Sequence, residues 1–257
     1  MTQAREDFVR PASEEIIQRV AQRMRERNIE VVVVDDGNQA RKVMLERLPE
    51  GAEVHSGKSK TLQDAGIFDA IHEASRYDAL RPRIFKMDRQ TQAREIRKLI
   101  SGPDFMLGSV NAITEDGVLV AASASSSQLG PYASTAGKVI LVVGSQKIVP
   151  DLETALRRIR DYVLPWEDAQ VRKAMNIGSF VGKLLIVERE WVNSRMTVIL
   201  VRKPIGIYYK IKRPLRQWGC RGRSLPAGAR GVPALSLFPK RWGDDALGEP
   251  LADRGPR

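Results

Sequence analysis

Strand-sized apolar runs alternate with helical patterns over roughly the first hundred residues, and this alternation constrains the fold most strongly. Residues 29–34 form a β-branched run typical of a strand buried on both faces. Residues 13–28 and 39–48, on either side of it, have the apolar spacing of helices. The alternation therefore predicts an α/β fold with an open, mostly parallel sheet and helices on both faces.

Shorter strands follow in the second part of the chain. Asp116-Gly117 separates two of them and predicts a hairpin, because this dipeptide suits a tight turn between strands. We therefore expect a small β-rich insertion in the sheet near residues 105–143. The remaining strands are predicted at residues 53–55, 83–86, 105–108, 111–114, 118–120, 138–143, 184–187 and 197–201.

The net charge of +11 is concentrated at the end of the chain. Residues 202–257 hold thirteen Lys+Arg and four Asp+Glu, and about a quarter of them are Gly or Pro. This composition predicts a folded domain over residues 1–207 and a basic tail over residues 208–257 that is disordered or non-native, such as a frameshift product. Nucleic-acid binding by the tail, through its cations and Trp218 and Trp242, is a third-ranked function, because the rest of the chain is nearly neutral.

The counts of cysteine and histidine exclude several kinds of site. Cys220 is the single cysteine, and His55 and His72 are the two histidines, so a cysteine-ligated cluster and a histidine-rich metal site are excluded. We expect no metal or other cofactor in this chain. The start of the chain has no signal-peptide pattern and the apolar runs are too short for a membrane span, which predicts a cytoplasmic protein.

Three segments have residues suited to binding or chemistry. In residues 53–66 a strand leads into a helix through a loop that offers Gly57, Lys58, Ser59 and Thr61 to an anion. The spacing is not that of a nucleotide-binding P-loop, since five residues separate Gly51 from Gly57, and Ser59 is alternatively the N-cap of the helix.

The predicted hairpin is the second segment. It places Glu115 at its tip, as a candidate nucleophile or a solvated turn residue, with Asn111 and Gly117 as further ligand-binding candidates. Residues 122–134 are small and polar, which suits either a loop bordering a ligand cleft or a flexible surface loop.

Three segments together resemble the LUD domain, the family of lactate utilisation proteins, and the protein C type in particular. They are SGKSKTLQDAGI at 56–67, SVNAITEDGVLV at 109–120 and VILVVGSQKIVPDLETAL at 139–156. The resemblance covers about residues 10–207, and MTVILV at 196–201 is similar to the last strand of that domain. The matching positions are Gly57, Ser59, Thr61, Leu62, Asn111, Ala112, Glu115, Gly117, Lys147, Ile148, Val149, Asp151 and Leu152.

The resemblance implies a fold like that of sugar-phosphate isomerases and CoA-transferases. It also implies binding of a small anionic metabolite and a role in L-lactate oxidation to pyruvate, alongside iron–sulfur partner proteins. Related transferases have a nucleophilic glutamate before a glycine, a pattern that Glu115 resembles. Some relatives have cysteines late in the domain and residues 171–190 here have none, so the alternative is a non-catalytic accessory or assembly subunit of an iron–sulfur oxidoreductase. The resemblance does not decide whether the chain is an enzyme.

Overall fold

The structure, a computed structural model, describes residues 8–72 and 76–208. Its main sheet has six parallel strands, which are β1 (Glu30–Val34), β2 (Glu53–Ser56), β3 (Asp78–Ala79), β4 (Phe105–Gly108), β7 (Lys138–Gly144) and β10 (Met196–Val201). Their order across the sheet is β1-β10-β7-β4-β2-β3. The α/β fold with a mostly parallel sheet is therefore confirmed.

Helices cover both faces of this sheet. On one face α1 (Glu14–Glu26) packs its apolar stripe, which includes Val20 and Met24, against strand residues such as Leu141 and Val198. On the other face α2 (Gly37–Glu46) contributes Met44, which lies in a second core with Val142. The helices are α1 (Glu14–Glu26), α2 (Gly37–Glu46), α3 (Lys60–Asp64), α4 (Ile67–His72), α5 (Leu80–Lys86), α6 (Ala93–Ser101), α7 (Leu152–Arg158) and α8 (Leu164–Met175).

A second sheet of four strands has the order β8-β5-β6-β9. The strands are β5 (Ala112–Thr114), β6 (Leu119–Ser123), β8 (Ile148–Val149) and β9 (Lys183–Val187). Ile113 and Leu119 face the core under α1, while Ala112 and Val120 face α7. Because successive strand residues point to opposite faces, β5 and β6 are buried between the core under α1 on one side and α7 on the other.

The predicted β-rich insertion is present, but it contains only some of the strands predicted for it. Strands β5 and β6 form the antiparallel hairpin, whereas β4 and β7 on either side of them belong to the main parallel sheet. The hairpin turn is closed at Gly117, which has a φ of +85° and lies so close to α1 that a Cβ there would meet the Met24 nitrogen at 2.9 Å.

The predicted strand at residues 83–86 is wrong, since this segment is the end of α5. Leu80 and Ile84, four residues apart, share the buried face of that helix and pack with Ile96 of α6. Among the described helices none has the length and apolar content needed to cross a membrane. The predicted tail at residues 208–257 lies, apart from Tyr208, outside the described residues.

Candidate functional site

The loops that follow β2, β4 and β7 meet at the carboxyl edge of the main sheet, around the amine of Lys147. Lys147 Nζ donates hydrogen bonds to Thr61 Oγ1 at 3.0 Å, Ser109 Oγ at 2.8 Å and the Val110 carbonyl at 3.1 Å. Ser109 Oγ in turn donates to the Val142 carbonyl at 2.6 Å, so its lone pair is available to the amine. Three acceptors around one nitrogen match the three protons of an ammonium group.

Lys147 is a buried cation, with 5% of the residue exposed. Burial, together with the nearby guanidinium of Arg158, lowers the pKa of the Lys147 amine from 10.5 to about 7. Desolvation disfavours the charged form, and a second positive charge adds to the effect. Near neutral pH the amine therefore exchanges readily between its charged and neutral forms.

Arg158 is the second buried cation, at the end of α7, and 1% of the residue is exposed. Its Nη1 donates to the Asn111 carbonyl, while Nε and Nη2 are buried without a hydrogen-bond partner. The guanidinium lies over the ring of Tyr162 at 5.4 Å and that of Phe8 at 6.0 Å. Burial lowers the pKa of Arg158 to about 10, so it is charged at neutral pH.

Lys147, Arg158 and the groups they contact, which are Thr61, Ser109, Val110 and Asn111, form what we call the buried-cation cluster. Within residues 8–72 and 76–208, neither cation has an aspartate or glutamate as hydrogen-bond or ion-pair partner. Buried charges in proteins are normally paired. The cluster therefore carries excess positive charge, at the sheet edge where open α/β sheets bind ligands.

Thr61 connects the cluster to a surface cleft. The loop after β10 contacts Thr61 at Gly206, which has a φ of +91° and where a Cβ would collide with Thr61 Oγ1. Gly206 also lines an open cleft of about 460 Å³, together with residues that include Gly37, Lys60 and Trp166. Lys147 and Arg158 do not line this cleft, so the cleft lies beside the cluster with Thr61 and Gly206 between them.

The predicted anion loop contributes one residue to the cluster. Thr61 binds Lys147, but Ser59 is the N-cap of α3, its hydroxyl accepting from the Leu62 nitrogen at 3.4 Å. Lys58 extends to Glu167 of α8 at 3.4 Å, and Gly57 lies against the side chain of Gln128. Because α3 has only five residues, its helix dipole is weak. The group that joins the site is therefore the side chain of Thr61 and not the backbone N–H groups at the start of the helix.

The residues predicted around the hairpin are divided between its two ends. Asn111 precedes β5 and joins the cluster through its carbonyl, while its Oδ1 accepts from the Ala122 nitrogen at 2.7 Å. Glu115 follows β5 at the opposite end and pairs with Arg19 of α1. Gly117 lies against the backbone of α1. The structure therefore brings Asn111 together with Thr61, and places Glu115 and Gly117 elsewhere.

The two cations and Ser109 were not identified from the sequence as site residues. One signal for Lys147 was available, because it follows a long buried strand at the edge where parallel sheets bind ligands. A signal for Arg158 was its position on the buried face of α7 and the following turn, with Ala155, Ile159 and Tyr162. A cation at such a position needs a partner, which the sequence pattern does not reveal.

No group of three or more histidine, cysteine, aspartate or glutamate side chains is arranged to hold a metal ion in the part of the chain that the structure describes. His55 is buried on β2, and burial with the nearby Arg81 lowers its pKa to about 4, so it is neutral at physiological pH. Its Nδ1 has no hydrogen-bond partner.

Comparison with known proteins identifies the family. The family model of the LUD domain matches residues 17–201. A solved structure, that of a DUF162 family protein from Deinococcus radiodurans, is similar with a TM-score of 0.43 and 13% identity, covering 74% of this chain and 99% of that chain. No curated protein sequence matches the chain. The matched segment contains both cations and most of the described fold, and the chain belongs to the LUD domain family.

Proposed function

We propose that this chain binds a small anionic metabolite at the buried-cation cluster and takes part, in the cytoplasm, in the oxidation of L-lactate to pyruvate together with iron–sulfur partner proteins. The observation that supports binding is Lys147, a buried ammonium held by three neutral oxygens. The lactate role is supported by the family, whose members are associated with lactate utilisation in general. In this proposal the chain holds the organic acid and the partners take its electrons.

An anion is the ligand that best compensates this site. The hydroxyls of Thr61 and Ser109 and the Val110 carbonyl satisfy the protons of the ammonium but do not cancel its charge. In a buried site a charge without a counter-charge is costly, so an incoming anion gains more there than at the surface. Both lactate and pyruvate carry such a charge on a carboxylate.

The charge state of Lys147 makes anion binding sensitive to pH. Because the pKa of the amine is about 7 in the unliganded protein, an anion that binds the ammonium form raises this pKa. Binding therefore takes up a fraction of a proton at pH 7 and weakens as the pH rises. Arg158, the charged group that acts on Lys147, stays protonated over this range.

Isothermal titration calorimetry tests this proposal with L-lactate, pyruvate, sugar phosphates and coenzyme A. We expect a carboxylate to bind the wild type and to bind Lys147→Met at least tenfold more weakly, because methionine removes the buried positive charge that the carboxylate compensates. The matched control is Lys138→Met, which removes an exposed lysine at the start of β7, the strand that precedes Lys147. Binding of no member of the panel, or equal binding by Lys147→Met, would contradict the proposal.

A second candidate function, an accessory or assembly subunit of an iron–sulfur oxidoreductase, is favoured by exposed apolar residues near β9. Leu184 and Ile186 are 38% and 40% exposed on this edge strand, and Trp191, in the segment that follows, is 91% exposed. Co-purification with iron–sulfur proteins that is lost in Leu184→Lys/Ile186→Lys and kept in Lys147→Met would support it. Turnover of lactate by the purified chain alone would contradict it.

A further inference from the structure

Arg158 has an unusual set of contacts for a buried arginine. Its Nη1 is bonded to the Asn111 carbonyl, whereas Nε and Nη2 have no partner, although the residue is only 1% exposed. Phe8 and Tyr162 lie under the guanidinium and stabilise its charge without accepting from these two nitrogens in the plane. Buried donors are satisfied in nearly all native structures, so two open donors on one buried group call for a missing partner.

The two open nitrogens lie on the same edge of the guanidinium. The N–H bonds of Nε and Nη2 run nearly parallel along that edge, in the fork that receives both oxygens of a carboxylate. The one nitrogen that is in use, Nη1, is the one that does not contribute to this edge. The protein has therefore left open the bidentate edge of Arg158 and anchored the group by its remaining nitrogen.

We propose that this edge of Arg158 binds the carboxylate of the small acid and so orients the acid in the buried-cation cluster. The inference rests on the proposed function and adds to it the residue that orients the acid. Lys147 and Arg158 bind the carbonyls of consecutive residues, Val110 and Asn111, so the two cations are neighbours in space. A carboxylate on the open edge of Arg158 therefore also lies near the positive charge of Lys147, which keeps its three oxygen partners.

A carboxylate fits this edge better than a phosphate does. It is planar and has two oxygens, which the two open N–H groups satisfy completely. A phosphate has further oxygens that need donors, and the next cation, Lys147, already has three acceptors. Inorganic phosphate is therefore the control ligand, expected to bind more weakly than pyruvate.

A carboxylate of the chain itself is the alternative occupant. Glu6 and Asp7 precede Phe8 in the sequence and lie outside the described residues. If one of them pairs with Arg158, the edge is closed by the protein and is not a ligand site. The variant Glu6→Gln/Asp7→Asn separates the two possibilities.

The experiment uses the full chain labelled with ¹⁵N-arginine, in which the Arg158 Nε–H signal is assigned by its loss in Arg158→Lys. Pyruvate, L-lactate, acetate and inorganic phosphate are added in turn, and affinities are measured by calorimetry. We expect pyruvate and lactate to shift this signal, and Arg158→Lys to bind pyruvate about tenfold or more weakly, because lysine lacks the bidentate fork. The matched control is Arg157→Lys, in which the neighbouring exposed arginine, bonded to Thr154, is changed.

Each possible outcome supports or overturns the inference. A shifted Nε–H signal, with weaker binding in Arg158→Lys and unchanged binding in Arg157→Lys, supports it. If Arg158→Lys fails to fold, Arg158→Gln provides both the assignment and the affinity. Pyruvate binding that depends on Lys147 but leaves the Nε–H signal and Arg158→Lys affinity unchanged overturns this inference and retains the proposed function. An Nε–H signal that moves in Glu6→Gln/Asp7→Asn without ligand also overturns it. Binding of no acid overturns both.

Discussion

Two buried arginines, Arg195 and Arg158, are held in contrasting ways. Arg195, which lies just before β10, forms an ion pair with Glu190, and its guanidinium also donates to the carbonyls of Pro131, Tyr132 and Ala136. Arg158 donates to one carbonyl and leaves two nitrogens open. The two residues are 5% and 1% exposed, so the contrast lies in their partners and not in their depth.

The contrast distinguishes a cation with a structural role from one that has open hydrogen-bond donors. The contacts of Arg195 hold the segment before β10 against residues 131–136, at the amino edge of the main sheet, and they leave no donor for a ligand. The buried-cation cluster lies at the carboxyl edge, where the loops after parallel strands converge. The substitution with the largest expected effect is at Glu190, the counter-charge of Arg195.

Replacing Glu190 by Gln should lower the free energy of unfolding by about 3–5 kcal/mol, because it leaves Arg195 buried without its counter-charge. Urea denaturation measures this change. Glu188→Gln is the control, since Glu188 pairs with Arg27 at a side chain that is 67% exposed. Equal stability of the two variants would show that the Arg195 pair does not have the structural role described here.

Lys147→Met should change how stability depends on pH. The folded protein releases the Lys147 proton near pH 7 and the unfolded chain near 10.5, so the unfolded state binds more protons between these values. Wild-type stability therefore rises with pH over this window, by up to about 1.4 kcal/mol per unit from this residue. Lys147→Met lacks this contribution, so its stability advantage should be greatest below pH 7 and should shrink toward pH 10.5. Denaturation curves recorded at several pH values measure the difference in free energy of unfolding between the two proteins. A difference that does not change with pH would contradict a buried ammonium at Lys147.

His55 should increase the loss of folding stability as the pH falls. Its pKa is lowered from 6.5 to about 4 in the folded protein, so the unfolded chain takes up the proton first as the pH falls. Stability is lost between these two values, and His55→Leu should lose less of it over the same window. Thermal melts between pH 4 and 6.5 check this expectation, which fails if the two proteins lose stability in parallel.

The smallest effect is expected at Glu115. Its ion pair with Arg19 lies at a partly exposed position, so Glu115→Gln should change the free energy of unfolding by less than about 1 kcal/mol. If Glu115 is the nucleophile that the family resemblance suggests, the variant also loses any turnover while it keeps ligand binding. If the cluster is the whole site, binding and turnover both persist. An assay of lactate oxidation with partner proteins distinguishes these results.

Local patterns in the sequence were sufficient for the fold class. The β-branched run at residues 29–34 and the helical spacing before it depend on neighbours along the chain, and both elements formed as predicted. Residues 83–86 form the end of α5 and not a strand, because Leu80 and Ile84 are buried at helical spacing against Ile96, a contact that the local sequence does not show. The same local chemistry placed Ser59 as the cap of α3.

The sequence by itself determined the alternation of strands and helices, the hairpin at Asp116-Gly117 and, through three motifs, the family. Only the tertiary structure decided the site. Thr61, Ser109 and Lys147 lie far apart along the chain, and they meet because parallel strands bring the segments that follow them to one edge. Arg158 comes from α7, which packs against the hairpin strands and so reaches the Asn111 carbonyl. Whether a cation is paired is likewise a property of its neighbours in space, and it is this property that distinguishes Arg158 from Arg195.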